Sequence, residues 1–188
     1  MAVVASEKII EQTKCWLKNV VIAHNICPFA KREFDRGSIH YQIMPSDLRQ
    51  SLDVFLTELQ RLDNHADIET SLLIYPNNLD DFDDYLDYHA IAQQLLVDNG
   101  YEGIYQLATF HPHYCFAGSD ETDAANYTNR SPYPMLHIIR EASLERALKY
   151  YPNPEEIPER NIRYTRDLGL IVMRKMLKET LIKSEVRL

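Results

Sequence analysis

Three short segments carry most of the reactive side chains in this chain. Cys27-Pro28-Phe29-Ala30-Lys31-Arg32 sets a thiol directly before proline, the pattern of a helix start in which cysteine caps and proline takes the first helical position. A sulfur placed there faces unpaired backbone N–H groups and the positive end of the helix, with Lys31 and Arg32 adding charge, and each factor lowers a thiol pKa. Cys27 is therefore a candidate nucleophile or redox thiol, set against the ordinary alternative of a buried structural cysteine. Lys31 is a candidate contact to an anionic substrate, set against a plain surface cation. Phe110-His111-Pro112-His113-Tyr114-Cys115 brings two imidazoles to a strand exit, and His111 is the candidate general acid or base. Asn126-Tyr127-Thr128-Asn129-Arg130 ends in an arginine just before Ser131-Pro132, which itself reads as a helix start. Guanidinium and backbone N–H groups together can hold phosphate or carboxylate oxygens. Arg130 with Tyr114, Asn126 and Asn129 makes the candidate anion-binding set. The structural alternative is a loop ordered by the bonds these side chains make to its own backbone.

Metal readings have less behind them. His111 and His113 on alternate positions of an extended segment point to opposite sides unless the chain turns at Pro112. Asp80, Asp81, Asp83, Asp84 and Asp87 cluster where the dipole alone favours acids in the first turns of a helix. His24 and His89 lie on apolar helix faces, and His40, His65 and His137 have no motif around them. The sequence names no cofactor. With five glycines in the chain, neither G-x-G-x-x-G nor a Walker A loop can be written, so nucleotide sites of those two kinds are excluded.

The elements that must position these residues follow from periodicity. Ile9, Thr13, Trp16, Leu17, Val20 and His24 recur at helical spacing after Ser6, and Leu48, Leu52, Phe55, Leu56, Leu59 and Leu62 do so after Ser46. A third helix runs from Asp80 through Leu96 to Asn99-Gly100, where glycine suits the left-handed position after a helix end. Between them stand three strands: Ser38–Met44, Leu72–Tyr75 and Gly103–Phe110. Strands separated by helices of this length favour parallel pairing through right-handed crossovers. The expectation is an α/β fold, a small, mainly parallel sheet of three or four strands with helices packed on its faces and a helical C-terminus. After Ser131-Pro132 both a helix and a fourth strand over Met135–Ile139 remain open. A short helix follows from Ser143, and a last one runs from about Pro158 to Ser184. Ligands of open parallel sheets bind beyond the carboxyl ends of the strands, and that rule points to the exit after Phe110.

At 188 residues, 45% hydrophobic and 26% charged, the chain has the make-up of a single globular domain, residues 1–188, with residues 160–188 as a basic C-terminal helical extension. The net charge of −8 gives no long-range attraction to phosphate backbones, so nucleic acid is not an expected partner. Residues 160–188 hold eight Lys or Arg against three acids. That imbalance suits either a solvated helix end or a dock for an acidic protein partner. No run of about 20 apolar residues is present, so no membrane partner is expected, and three cysteines are too few for a secreted disulfide framework. A cytoplasmic location is the expectation. The oligomeric state is not legible.

Asn25-Ile26-Cys27-Pro28-Phe29-Ala30, Phe110-His111-Pro112-His113-Tyr114-Cys115-Phe116-Ala117-Gly118 and Asn126-Tyr127-Thr128-Asn129-Arg130-Ser131-Pro132-Tyr133-Pro134 together resemble a mostly bacterial family catalogued as domain of unknown function 1415. The resemblance runs from about Trp16 to Asn161. It implies no established activity. It marks Cys27, His111, Tyr114, Asn126, Asn129 and Arg130 as matching positions and His113 and Cys115 as variable ones. Three functional readings follow from the residues. The first is an enzyme acting on a small anionic metabolite through a thiol- or histidine-dependent hydrolytic, transfer or redox reaction. The second is a non-catalytic binding or scaffold protein whose motif loops order the fold, and the third a metal-binding protein using His111.

Overall fold

The computed structural model describes residues 2–182, and the chain falls into two compact units. One unit comprises Arg32–Phe110 and Pro134–Tyr151. It holds a four-stranded sheet of β1 (Ile39–Ile43), β2 (Thr70–Ile74), β3 (Tyr105–Phe110) and β4 (Met135–Arg140), in the order β1-β2-β4-β3. The expectation of a mainly parallel sheet is corrected here. Only β1 and β2 pair in parallel, while β4 pairs antiparallel with both β2 and β3. The crossover argument holds for the direction of the first three strands, since β2 and β3 are each antiparallel to β4 and so run the same way. What local patterning did not reveal is that β4, returning from the far end of a long loop, is inserted between them.

The segment after Ser131-Pro132 is thus strand and not helix. Leu136 and Ile138 are fully buried on one side of it and Met135 on the other, so its neighbours satisfy apolar demands on both faces. Helices α3 (Leu48–Asn64) and α4 (Phe82–Asp98) cover one face of the sheet. Phe55, Leu59 and Leu62 of α3 and Tyr85, Tyr88, Ala92 and Leu96 of α4 pack with Leu73, Tyr105, Leu136 and Ile138. The α3 cap lies one residue past the expected Ser46, at Asp47, which accepts from the Gln50 N–H, and α4 is capped by Asp81, which accepts from the N–H groups of Asp83 and Asp84. Asp81 thus uses the acidic cluster's position for capping, as the dipole reading requires. At the strand ends the Tyr85 hydroxyl accepts from the Phe110 N–H at 3.1 Å and donates to the Met135 carbonyl at 2.7 Å, pinning the end of β3 to the start of β4. Helix α5 (Glu141–Lys149) follows β4 directly.

The second unit comprises Met1–Lys31, His111–Tyr133 and Pro152–Leu188 in their described parts. Helix α1 (Ala2–Trp16) continues without a break into a π-helical stretch, Leu17–Ile22, a wider winding that is rare and frequently marks functional or irregular sites. A turn through Asn25, whose φ is 52°, leads to α2 (Ala30–Arg36), whose later residues belong to the sheet unit. The expected single C-terminal helix is two: α6 (Ile157–Leu168) and α7 (Leu170–Ile182), divided at Gly169. Glycine is required there because φ is 81°, where a Cβ is strained. Ser184, the expected end of that helix, lies outside the described residues. Met173 of α7 packs with Ala124 and Tyr127 in a small second core, flanked by Leu168, Leu170, Met176 and Leu177.

Candidate functional site

The candidate site residues Cys27, Lys31, His111, Tyr114, Asn126, Asn129 and Arg130 lie in this second unit, most of them on the loop from His111 to Tyr133. A short 3-10 helix, Ala124–Thr128, forms its middle, capped by Asp123 through the Ala125 N–H. Arg166 of α6 grips the same Asp123 carboxylate at 2.6 Å and 3.1 Å, and this pairing with the cap bond holds the carboxyl below its ordinary range. The Asp120 carboxylate accepts from both the N–H and the hydroxyl of Thr122, tightening the approach to the helix.

Asn126 is fully buried in this loop, and every part of its amide is engaged. Its Oδ1 accepts from the Phe116 N–H at 3.1 Å, while its Nδ2 donates to the Asp120 carbonyl at 2.9 Å and lies 3.8 Å from the Cys115 sulfur. Arg130 is engaged in the same way. Its Nε donates to the Tyr114 carbonyl and one terminal nitrogen donates to the Glu121 carbonyl, both at 3.0 Å, and the guanidinium lies 4.7 Å from the centre of the Tyr127 ring. No helix begins at Ser131, so the positive helix end that was to share an anion with Arg130 does not exist; instead Arg130 follows Asn129, which closes the 3-10 turn.

His111 is fully buried, and its Nδ1 accepts from the His113 N–H at 3.0 Å, which fixes the neutral ring's proton on Nε2. The chain does turn at Pro112, since the Tyr114 N–H reaches the His111 carbonyl at 3.1 Å. The rings of His111 and His113 are 5.8 Å apart, yet among the described residues no group of three or more His, Cys, Asp or Glu side chains is arranged to hold a metal ion. The His111 N–H in turn donates to the Asn129 carbonyl at 3.2 Å, so the two motif segments are joined main chain to main chain.

Cys27 stands one turn before α2, its carbonyl accepting from the Ala30 N–H at 3.3 Å. Burial pushes its thiol pKa up; backbone N–H groups of Phe29 and Ala30 directed at the sulfur oppose this and do not overcome it. The expectation of a lowered thiol pKa is thereby corrected: desolvation of the thiolate outweighs the favourable N–H groups. Among the described residues no hydrogen bond joins Cys27 to His111 or Arg130. Lys31 is exposed at the beginning of α2.

Several residues that sequence reasoning passed over hold this unit together. The buried Asn161 side chain of α6 donates to the Ile26 carbonyl at 2.7 Å, and Arg160 donates to the Asn25 carbonyl, so the turn before Cys27 is held from α6. Gln12 of α1 donates to the Leu181 carbonyl at 2.6 Å and accepts from the Tyr133 hydroxyl. The available signal was polar residues at core-facing helical positions: Gln12 and Thr13 before Trp16, and Asn161 with Thr165 one turn later.

Among the described residues no helix is long and apolar enough to cross a membrane. No curated protein and no solved structure matches the chain. A family model does match, over residues 8–175, and its span takes in all three motif segments together with α6. The chain accordingly belongs to the family described as protein of unknown function, DUF1415.

Proposed function

We propose that this chain is a non-catalytic binding or scaffold protein in which the FHPxY and NYTNR segments build one self-bonded loop. The observation that carries the reading is the engagement of Asn126 and Arg130: the side chains best suited to hold a ligand are bonded to carbonyls and an N–H of their own loop. A guanidinium with two carbonyl partners and an aromatic face beneath it is a positioning element. Turning the guanidinium to an anion would break both carbonyl bonds and its contact with the Tyr127 ring.

The competing reading is an enzyme acting on a small anionic metabolite, with Cys27 as nucleophile, His111 as acid or base, and Arg130, Asn129, Asn126, Tyr114 and Lys31 binding the anion. The N–H groups of Phe29 and Ala30 at the Cys27 sulfur favour it, and the raised thiol pKa weighs against it. One experiment separates the two. Wild type and Arg130→Gln are melted with and without phosphate. The scaffold reading expects a lower melting temperature for the variant in both conditions and no phosphate-dependent difference from wild type. Phosphate stabilisation present in wild type and lost in the variant overturns it in favour of the anion clamp.

A further inference from the structure

The sheet unit contains a charged cluster with no part in the motif loop. Glu58 lies on α3 between Phe55 and Leu62, at a position where the apolar stripe calls for a hydrophobic residue, and its side chain is 1% exposed. A carboxylate that far from water needs full compensation. It receives it from three donors. His40 Nδ1, on β1, is 2.8 Å from Oε2; Arg61 Nε, one turn further along α3, is 2.8 Å from Oε1; and the Ser71 hydroxyl of β2 lies 3.4 Å from Oε2. Burial alone would push the Glu58 carboxyl up, but the bonds and charges of His40 and Arg61 outweigh it and the pKa is lowered, so Glu58 is an anion at neutral pH.

Both partners of Glu58 are themselves partly exposed. The side chain of His40 is 27% exposed and that of Arg61 37%. With Nδ1 bonded to Glu58, the imidazole keeps Nε2 for another partner; with Nε bonded, the guanidinium keeps the edge formed by its two terminal nitrogens. Neither end has a hydrogen-bond partner among the described residues. β1 is an edge strand, so no further strand of this sheet lies beyond His40.

We infer that His40 and Arg61, held on the two oxygens of buried Glu58, form a binding site for a phosphate monoester. The guanidinium edge matches two oxygens of one group bidentately. The imidazole nitrogen takes a third, either donating to it or accepting the proton of a monoanionic phosphate. Three terminal oxygens on one centre are what phosphate has and a carboxylate lacks. Glu58 offsets the positive charge of Arg61, so the affinity is modest, with Kd on the order of 1 mM. The inference stands apart from the role of the motif loop, and its failure would leave that reading untouched.

The test follows the ring signals of His40 by NMR as phenyl phosphate is added to the full chain at constant ionic strength, with inorganic phosphate, acetate and chloride as parallel titrants. Saturable shifts with phenyl phosphate, weaker ones with inorganic phosphate and none with acetate or chloride are expected. Arg61→Gln should weaken the binding by about tenfold or more, and Arg61→Lys should restore only part. If Arg61→Gln fails to fold, loss of bidentate binding in Arg61→Lys carries the same information. Equal shifts from chloride, a preference for acetate, binding of inorganic phosphate but not of the monoester, or undiminished affinity in the Arg61 variants would each overturn the site.

Discussion

The indole Nε1–H of Trp16 donates to the main-chain carbonyl of Arg130 at 3.1 Å, joining the last turn of α1 to the end of the NYTNR segment across 114 residues of sequence. Trp16 is 1% exposed, so its N–H has no water to turn to. The Arg130 main chain is thus fixed by α1 while its side chain is fixed by Tyr114 and Glu121. Trp16→Phe keeps much of the aromatic volume and removes the donor. It should lower stability by about 2–4 kcal/mol, combining the lost bond, the orphaned carbonyl and the small void left by the second ring. Chemical denaturation with an unchanged m-value is the check; a loss below about 0.5 kcal/mol would mean that the carbonyl finds another donor.

Arg130→Gln removes two carbonyl partners and the contact with Tyr127. The expected loss is about 1–3 kcal/mol, a fall of several degrees in melting temperature. Arg130→Lys should recover little, since an ammonium cannot reach two carbonyls in the plane of a guanidinium fork. Full stability of Arg130→Lys in a thermal melt would show that charge, and not geometry, is what the loop uses.

How far the sequence was readable depended on whether a residue's role was local. Helices α3 and α4 and strands β1 to β3 follow from periodicity and punctuation that act over a few residues. The position of β4 does not: Ser131-Pro132 looks like a helix start, and only pairing with β2 and β3 makes an extended Met135–Arg140 the better outcome. The motif loop shows the same limit in side chains. Asn126 and Arg130 have the chemistry of ligand binders, and composition cannot reveal that Phe116, Asp120, Tyr114 and Glu121 supply their partners. Glu58 was within reach of pattern reasoning, being an acid at a core position of the cleanest amphipathic helix.

Cys27 should alkylate slowly. With the thiol pKa raised by burial, the thiolate fraction at pH 7 falls below that of a free cysteine. Peptide mapping after a timed exposure of the native chain to iodoacetamide should find Cys27 modified more slowly than a free thiol, and unfolding in denaturant should bring it to the same rate. Rapid modification of native Cys27 near pH 6 would restore the nucleophile reading.

Replacing Glu58 by Gln tests whether the buried charge stabilises the sheet unit or merely tolerates its surroundings. Its pKa is lowered on folding, so its contribution is complete above the unfolded value of about 4.3 and disappears as the pH falls through the lower folded value. Glu58→Gln leaves the Arg61 and His40 N–H groups facing a neutral amide, and should cost about 1–3 kcal/mol at pH 7. The cost should shrink as the pH falls below about 4.3, where the unfolded chain takes up the proton that the folded carboxylate still resists. Urea denaturation of both proteins across that range would reveal it, and a pH-independent difference would assign the effect to packing.

The steepest pH dependence near neutrality should come from His137. Burial lowers the pKa of this β4 imidazole to about 4. The Thr70 hydroxyl, which donates to the Ile138 carbonyl at 2.5 Å, accepts from its Nε2 at 2.5 Å, so the neutral ring carries its proton there. In the unfolded chain the same histidine titrates near 6.5. Between these values the unfolded state binds the extra proton and the folded state does not. Stability associated with His137 is therefore complete above about pH 6.5 and is lost progressively as the pH falls towards 4, by up to about 3 kcal/mol at the lower limit. His137→Gln retains a side-chain donor for Thr70 and cannot titrate. Its stability should fall less than that of wild type between pH 7 and pH 4.5 in parallel denaturation series, and identical losses in the two proteins would remove His137 as the source.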